Sequence, residues 1–298
     1  MTSASSVLGV AHTPPAFEVP RNACDCHTHV FGPHGRFPLA LDRLYTPGPA
    51  SIEDLQALHR ALLVDRVVIV HPSVYGIDNS CTVDAVRRLG GHARGVAVID
   101  RTITDAALAD MHAAGVRGVR VNLETYGQHD PVAARQQLLS AAERVAPLGW
   151  HVQTYTNLAM LAALHDTILA LPTTLVVDHF GRAQAALGTA QPNFGTLLAL
   201  LRSGKVYMKI SAAYRISQQP HYPDVVPIAR AMIAANPDRI VWGTDWPHPG
   251  AARRDPAVIE PFRPEDDGAA LSRVAQWAQD RTTLQKILVD NPARLYQF

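Results

Sequence analysis

Two histidines close the first apolar run of the chain, at His27 and His29 within residues 24–29. On a β-strand, residues two apart point to the same face, so both imidazoles would face one site. Two neighbouring imidazoles can bind a divalent metal ion, or can hold and polarise an oxygen atom without one. An isolated His-x-His pair is more often a surface feature, so a site here needs support from elsewhere in the chain.

Two later segments supply that support. Residues 176–182 and 240–249 each begin as an apolar, β-branched run, reach His179 or Asp245, and continue into glycine or proline turn residues. Barrel enzymes carry their catalytic residues at the carboxyl ends of strands. The three segments together therefore predict a catalytic site at strand ends.

Composition restricts the class of protein. The chain has 298 residues, 47% of them hydrophobic and 18% charged, which is long for one ordinary domain; a (β/α)8 barrel typically takes about 250 residues. No window approaches the roughly 18 unbroken apolar residues of a membrane span. The net charge of +1 comes from interspersed acids and bases, so we expect neither a nucleic-acid nor a membrane partner.

The N-terminal segment, residues 1–20, is predicted to be a polar arm because it lacks the basic start and apolar core of a signal peptide. Three cysteines, Cys24, Cys26 and Cys81, have no paired spacing, so a disulfide framework is not expected. The sequence thus favours a cytoplasmic protein. Nothing in it indicates the oligomeric state.

Eight short β-branched runs alternate with stretches of helical period. The runs are residues 23–29, 66–71, 94–100, 116–122, 150–156, 174–179, 206–211 and 240–245, and the helices between and after them are 51–63, 79–89, 104–114, 131–146, 157–169, 194–203, 224–236, 267–277 and 281–289. This alternation predicts the α/β class and a single-domain (β/α)8 TIM barrel over residues 21–298. The Gly/Pro-rich connection 31–49 is predicted to be a lid or wall over the site.

In such a barrel the carboxyl ends of the strands line one mouth. The polar side chains placed there are His27, His29, His71, Arg120, Asn122, Gln153, Tyr155, His179, Ser211 and Asp245, and the loops add Tyr45, Tyr75, Arg182 and Arg215. Several histidines, an aspartate and an arginine gathered at one end are hard to explain by packing alone. Eight other histidines are expected to be solvated: His12, His34, His59, His92, His112, His129, His165 and His221.

Several motifs resemble the amidohydrolase superfamily, and in particular its metal-independent lactonase branch. They are residues 27–33, 45–47, 78–79, 118–120, 147–152, 178–182, 242–249 and 290–296. The resemblance implies that Asp245 is a general base that deprotonates water, while His27, His29 and His179 bind and polarise a lactone carbonyl. The residue types agree, since a carboxylate can accept the proton of water and imidazoles can donate to a developing oxyanion.

An anionic lactone from aromatic-compound breakdown is the expected substrate. A guanidinium group matches a carboxylate or sulfonate in a bidentate manner, and the expected substrate-binding residues are Tyr45, Tyr75, Asn79, Arg120, Tyr155, Arg182 and Arg215. The resemblance implies a further arginine in the loop after the fourth strand for a substrate with two carboxylates, but this loop carries Glu124 and no arginine. A lactone with one carboxylate and a different second anion, such as 4-sulfomuconolactone, or a muconolactone without one, therefore fits as well as or better than 2-pyrone-4,6-dicarboxylate.

No metal is expected to be required. The resemblance implies that metal-dependent relatives use a fifth-strand histidine and a fourth-strand lysine, but His151 lies too early in its strand and the fourth strand has no lysine. A single zinc ion held by His27, His29 and Asp245 is the alternative. A zinc-dependent decarboxylase and a sugar-lactone hydrolase or isomerase are the alternative functions, and a non-catalytic binding protein is the third.

Overall fold

The computed structural model describes residues 5–125, 127–250 and 255–298. Within these ranges the strands are β1 (Ser5–Val7), β2 (Val10–His12), β3 (Cys24–Thr28), β4 (Thr46–Pro47), β5 (Arg66–Val70), β6 (Ala93–Ala97), β7 (Val116–Asn122), β8 (His151–Tyr155), β9 (Leu175–Val177), β10 (Val206–Ser211), β11 (Ile240–Gly243) and β12 (Ile259–Glu260). Eight of them form one sheet in the order β3-β5-β6-β7-β8-β9-β10-β11. These eight match the eight predicted runs.

Helices follow the strands of this sheet in alternation. They are α1 (Ile52–Leu62), α2 (Ser80–Leu89), α3 (Asp105–Ala114), α4 (Pro131–Val145), α5 (Leu158–Ala163), α6 (His165–Ala170), α7 (Phe194–Arg202), α8 (Val226–Ala235), α9 (Asp267–Ala278), α10 (Arg281–Gln285) and α11 (Asn291–Tyr296). The pairs β3–β5, β5–β6, β7–β8, β8–β9 and β9–β10 are all parallel. The fold is of the predicted (β/α)8 barrel class.

The chain divides into two compact units. Unit 1 comprises residues 1–116, 243–276 and 298. Its buried core includes Leu55, Leu58 and Leu62 of α1, at the spacing of one helical face, and Val68 and Ile69 of β5. The helix begins as predicted, because the Ser51 side chain accepts from Asp54 N and the Asp54 carboxylate accepts from Ser51 N.

Unit 2 comprises residues 117–242 and 277–297. Its central strands β8, β9 and β10 are buried on both faces, and β8 runs in register with β7 from Gly118–His151 to Asn122–Tyr155. This register matters for function because it aligns Arg120 with Gln153 on neighbouring strands. The side chains of one site can therefore come from positions far apart in the sequence.

Two predicted helices differ from the structure. The helix predicted over 157–169 is two helices, α5 and α6, separated at Leu164, whose ψ of 8° departs from the helical value. The helix predicted over 281–289 is α-helical only to Gln285 and continues as a π-helix over Lys286–Asp290.

The N-terminal arm is less solvated than predicted. Residues 1–4 of the predicted arm lie outside the described residues, and β1 and β2 pair as an antiparallel hairpin. His12, expected to be solvated, is buried, and its Nδ1 accepts a hydrogen bond from Asp267 N at 3.2 Å in place of one from water. His59, also expected to be solvated, is buried in α1 with its Nε2 3.3 Å from Asp25 Oδ2. The domain boundary at residue 20 and the lid role of 31–49 stay predictions.

Candidate active site

Asp245, His27 and His29 come together in unit 1, and we call them the histidine–aspartate cluster. His27 Nε2 and His29 Nε2 each lie 3.5 Å from Asp245 Oδ1. The side chains of His27 and Asp245 are fully buried and that of His29 nearly so. A carboxylate and two imidazoles in a dry site interact far more strongly than they would in water. The cluster therefore has the groups needed to move a proton.

Backbone contacts between β3 and the segment after β11 set this geometry. Asp245 N donates to His27 O at 2.8 Å, and His29 N donates to Trp246 O at 2.8 Å. The approach is close because position 243 is a glycine: a Cβ there would lie 2.6 Å from His27 N. Gly243 thus lets the two segments lie side by side.

His29 has a defined tautomer in its neutral form. Its Nδ1 lies 2.8 Å from Val70 O, and a carbonyl can only accept, so Nδ1 carries the hydrogen. The lone pair of neutral His29 is then on Nε2, which faces Asp245. Donation from Nε2 to a substrate oxygen, as predicted from the sequence, consequently requires the imidazolium form of His29; the neutral form is a ligand or an acceptor.

A further buried carboxylate, Asp25, fixes this cluster, and its role was not predicted from the sequence. Asp25 accepts hydrogen bonds from Thr244 N (2.9 Å), Thr244 Oγ1 (2.7 Å) and His27 N (3.2 Å). These bonds join the backbone of β3 to the residue before Asp245. The signal was present, since Asp25, His27 and His29 share the alternate positions of one strand face.

The backbone of Asp245 is strained. Its φ of 70° lies in the left-handed region, which costs a residue with a Cβ roughly 1–2 kcal/mol. Such strain persists where the surroundings hold the residue in place, and it is frequent at functional sites. Here the hydrogen bonds to His27 O and from His248 N hold Asp245 in that conformation.

His179 occupies a comparable position in unit 2. It follows β9, is buried, and its Nδ1 lies 2.8 Å from Ser211 Oγ at the end of β10. His179, Phe180, Gly181 and Arg182 all have φ between 50° and 58°, so the chain makes a left-handed turn here. Two of the predicted site residues, His179 and Arg182, therefore lie in this one short turn.

Three guanidinium groups surround one tyrosine in unit 2, and we call them the arginine cluster. The Cζ atoms of Arg120, Arg182 and Arg215 lie 5.9, 5.8 and 5.9 Å from the centroid of the Tyr155 ring. Arg182 Nη1 also donates to Tyr155 Oη at 3.1 Å. Cations over an aromatic face are attracted to its π electrons. The cluster offers several N–H donors to an anion.

A buried network of hydrogen bonds and ion pairs contacts the arginine cluster at Arg120. Lys209 Nζ donates to Gln153 Oε1 at 2.7 Å and lies 3.5 Å from Asp178 Oδ1, while Gln153 Nε2 donates to Asp178 Oδ2 at 3.0 Å. Arg120 Nη2 lies 3.5 Å from the same carboxylate. Lys209 was missed by the sequence reasoning, although a lysine within the apolar strand β10 is the kind of signal that could have found it.

The remaining predicted residues have other contacts. Tyr75 is buried, its Oη accepts from Gly32 N at 3.1 Å, and burial raises the pKa of its phenol. Asn79 bonds to the backbone of Ile77 and Val98. Tyr45 is also buried. Tyr75 and Asn79 thus bind main-chain atoms, and neither belongs to the histidine–aspartate cluster or to the arginine cluster.

Two histidines whose roles the sequence left open also have defined partners. His71 Nε2 lies 2.9 Å from Gly76 O and its Nδ1 lies 3.3 Å from Thr82 Oγ1. His248 Nε2 lies 3.2 Å from Asp267 Oδ2, and the buried Asp267 carboxylate raises the pKa of His248 despite the opposing effect of burial. These contacts hold both imidazoles in place.

His27, His29 and Asp245, the residues predicted to hold a single zinc ion, lie together in unit 1. Two imidazoles and a carboxylate are a suitable ligand set for a single zinc ion with one open position. The donor chemistry of this cluster thus fits a metal ion.

Comparison with known proteins places the chain in a family. The amidohydrolase family model matches residues 24–298. The chain belongs to this amidohydrolase family. It is 42% identical to a 2-pyrone-4,6-dicarboxylate hydrolase of Comamonas testosteroni over 293 residues, which cover 95% of this chain and 92% of the relative. It is 40% identical to a 4-sulfomuconolactone hydrolase of Rhizobium radiobacter, with the same two coverages.

A solved structure supports the fold of this amidohydrolase. A probable 2-pyrone-4,6-dicarboxylic acid hydrolase of Acinetobacter baumannii, crystallised with citric acid bound, superposes with a TM-score of 0.77 and 25% identity. The match covers 93% of this chain and all of the other. In the described part of this amidohydrolase, no helix combines the length and apolar character needed to cross a membrane.

Proposed function

We propose that this amidohydrolase opens an anionic lactone of aromatic-compound breakdown by hydrolysis. The observation that carries the proposal is the buried Asp245 carboxylate with the Nε2 atoms of His27 and His29 each at 3.5 Å, in a chain similar to two lactone hydrolases. A base flanked by imidazoles suits attack by water on an ester carbonyl.

In the proposed reaction, Asp245 takes a proton from water and the resulting hydroxide attacks the lactone carbonyl carbon. Imidazoles of His27, His29 and His179 stabilise the oxyanion, His29 doing so as the imidazolium. Removal of one such donor typically slows an enzyme about 100- to 1000-fold. The ring C–O bond then breaks; in 2-pyrone-4,6-dicarboxylate the ring oxygen leaves as an enolate, and the proton held by Asp245 passes to the product, which restores the base.

The arginine cluster is proposed to bind the anionic groups of the same lactone. In a (β/α)8 barrel the loops at the carboxyl ends of the strands build a common site, and both clusters follow strand ends. Guanidinium groups bind carboxylates and sulfonates through paired N–H donors. Tyr155 holds Arg182 through its hydroxyl, which orders the cluster before the substrate arrives.

The proposed reaction needs no metal ion. An enol or enolate is a better leaving group than the amine of an amide, so weaker electrophilic assistance is sufficient. Should a zinc ion be held by His27, His29 and Asp245, it would supply a bound water of lowered pKa. Zinc-dependent hydrolysis at these residues is therefore the alternative mechanism.

The test is hydrolysis of 2-pyrone-4,6-dicarboxylate, 4-sulfomuconolactone and an uncharged lactone near pH 7, before and after chelation. We expect turnover of an anionic lactone that survives chelation. Loss of activity with a chelator and recovery with zinc would make His27, His29 and Asp245 ligands. No turnover of either anionic lactone would contradict the proposal and would make a sugar lactone the leading candidate substrate.

A further inference from the structure

The N-terminal hairpin of β1 and β2 is fastened to the start of α9. His12 Nδ1 accepts from Asp267 N at 3.2 Å, and Thr13 N donates to Asp266 Oδ1 at 3.0 Å. The approach is close because position 268 is a glycine, where a Cβ would overlap Thr13 O. The end of the hairpin is therefore packed directly against the first turn of α9.

His12 is a hydrogen-bond acceptor in this contact. A backbone N–H can only donate, so His12 Nδ1 holds a lone pair toward Asp267 N and the neutral imidazole carries its hydrogen on Nε2. Burial lowers the pKa of His12, which favours this neutral form. No described residue accepts from the buried Nε2, and a buried donor without a partner is costly. An apolar side chain would fill the same space without that cost, so packing alone does not account for a histidine here.

Asp267 links His12 to His248. Both oxygens of the Asp267 carboxylate lie 3.2 Å from His248 Nε2, and the two side chains are 0% and 5% exposed. The main chain of His248 is held as well, because Arg263 N donates to His248 O at 3.1 Å. His248 is thus fixed through its ring by Asp267 and through its carbonyl by the segment before α9.

His248 closes the backbone turn that begins at Asp245. His248 N donates to Asp245 O at 2.7 Å. The φ angles of Asp245 and His248 are 70° and 65°, both in the left-handed region that is unfavourable for a residue with a Cβ. Such a turn persists where its surroundings hold it. The bond from Asp245 N to His27 O holds the first end of the turn, and the contact of His248 with Asp267 holds the second.

We propose that His12 and His248 are positioning residues for Asp245, the proposed base. Through Asp267 they hold the second end of the turn over residues 245–248 and so fix the direction of the Asp245 carboxylate. The N-terminal hairpin is then a component of the active site. The inference rests on the proposed function. Because both histidines act through Asp245 and not on the substrate, their loss should lower kcat and leave KM nearly unchanged.

Three substitutions of His12 isolate its role as an acceptor. His12→Asn places an amide oxygen near the position of Nδ1 and can still accept from Asp267 N, whereas His12→Leu fills the space without an acceptor. His12→Gln places its amide beyond that position, and it supplies a polar variant without the bond should His12→Leu fail to fold. His92→Leu is the matched control, because His92 is an exposed histidine of the same unit whose Nδ1 also contacts a backbone carbonyl, Asp65 O.

Steady-state kinetics on the lactone that the chain hydrolyses give the first measurement, with the concentration of folded protein taken from circular dichroism. His12→Leu and His12→Gln should lower kcat about tenfold and change KM less than about twofold, since a 1 Å misplacement of a reacting group can cost about 100-fold and a smaller one less. His12→Asn should retain kcat within about threefold, because its amide oxygen still holds Asp267. His92→Leu should change neither constant.

Amide hydrogen exchange gives a second measurement that needs no substrate. His12→Leu and His12→Gln should speed the exchange of the amides of residues 244–248, because the turn opens locally more often when its second end is released. His12→Asn should exchange as the unmodified chain does. Exchange in α4, which lies in unit 2, should be the same in all variants.

Several results would overturn the inference. A fall in kcat that His12→Asn does not restore, or exchange that rises equally in residues 244–248 and in α4, would show that His12 contributes only to stability. Unchanged kcat and exchange in His12→Leu and His12→Gln, or a change in KM alone, would show that the hairpin does not position Asp245. Failure of the proposed function is seen separately, as absent lactone turnover by the unmodified chain while His12→Leu and His12→Asn still differ in exchange.

Discussion

The histidine–aspartate cluster of unit 1 and the arginine cluster of unit 2 differ in burial and in charge. Asp245, His27 and His29 are almost completely removed from solvent, whereas Arg182 keeps 35% of its side-chain surface exposed. The first cluster has one acid and two imidazoles; the second has three guanidinium groups. The difference agrees with the proposed division between reacting groups, which gain from a dry site, and binding groups, which must be reached by a charged ligand.

The two clusters are also held by different means. Main-chain hydrogen bonds and the Asp25 carboxylate fix the histidine–aspartate cluster, while side-chain contacts among Tyr155, Asp178 and Glu124 fix the arginines. Main-chain bonds place reacting atoms precisely. Side-chain contacts allow the charge of the binding region to change by substitution without a change of fold.

The largest expected effect is on the rate of the chemical step and not on substrate binding. Asp245→Asn removes the proposed base and keeps the shape of the side chain, so kcat should fall about 100- to 10,000-fold with KM nearly unchanged. Steady-state kinetics on the lactone that the chain turns over measures both constants. Asp105→Asn, an exposed acid in the first turn of α3, is the control, and full activity of Asp245→Asn would refute the mechanism.

A change in the arginine cluster should produce the opposite pattern. Arg215→Met removes a guanidinium near Tyr155, so KM for an anionic lactone should rise about 10- to 100-fold, the loss expected for a hydrogen bond to a charged group. The kcat value should change little. Arg202→Met, on the exposed side of α7, should change neither constant, and a fall in kcat alone for Arg215→Met would contradict the division.

Packing beneath the arginine cluster can be tested without substrate. A Cβ at Gly118 would lie 2.4 Å from the His151 ring, which is buried and packs at 5.2 Å against Tyr296. Gly118→Ala should therefore destabilise the protein by about 1–3 kcal/mol. Gly195→Ala in α7, where a Cβ meets nothing within 4 Å, should be neutral or stabilising in the same denaturant titration; equal effects would contradict this packing.

The smallest expected effect is a pH dependence from His151. Burial, with a smaller effect of Lys209, lowers the pKa of His151 to about 3. The unfolded chain binds the proton more readily, so stability from this group is complete above about pH 6.5 and is lost as pH falls toward 3. Between pH 6.5 and 5.5 the loss should be about 1 kcal/mol.

The His151 effect is measured by urea unfolding at the two pH values. His151→Gln cannot take up a proton in this range. Its free energy of unfolding should therefore change less between pH 6.5 and 5.5 than that of the unmodified chain, by about 1 kcal/mol. An identical pH dependence of the two proteins would show that His151 does not remain neutral in the folded state.

Local patterns in the sequence predicted most of the fold. Alternation of β-branched runs with helical stretches located all eight strands of the sheet and the start of α1 near residue 51. Interruptions such as the one at Leu164 were not predicted because residues 157–169 contain no glycine or proline to signal a break.

Residue types at strand ends also predicted the two clusters, but their partners could not be predicted. Asp25 binds Thr244 across 219 positions of sequence, and Lys209 binds Gln153 across 56. Such pairs depend on strand order and register, which a single sequence does not specify at the level of individual atoms. For the same reason the link between Glu124 and Arg182 becomes visible only in the folded chain.

The most direct test of the division between the two clusters is calorimetric titration of Asp245→Asn with the anionic lactone that the unmodified chain hydrolyses. We predict that this variant binds the lactone with a Kd near the KM of the unmodified chain and does not consume it. Adding Arg215→Met should weaken that binding about tenfold or more. Loss of binding in Asp245→Asn alone, or hydrolysis at the unmodified rate, would contradict the account.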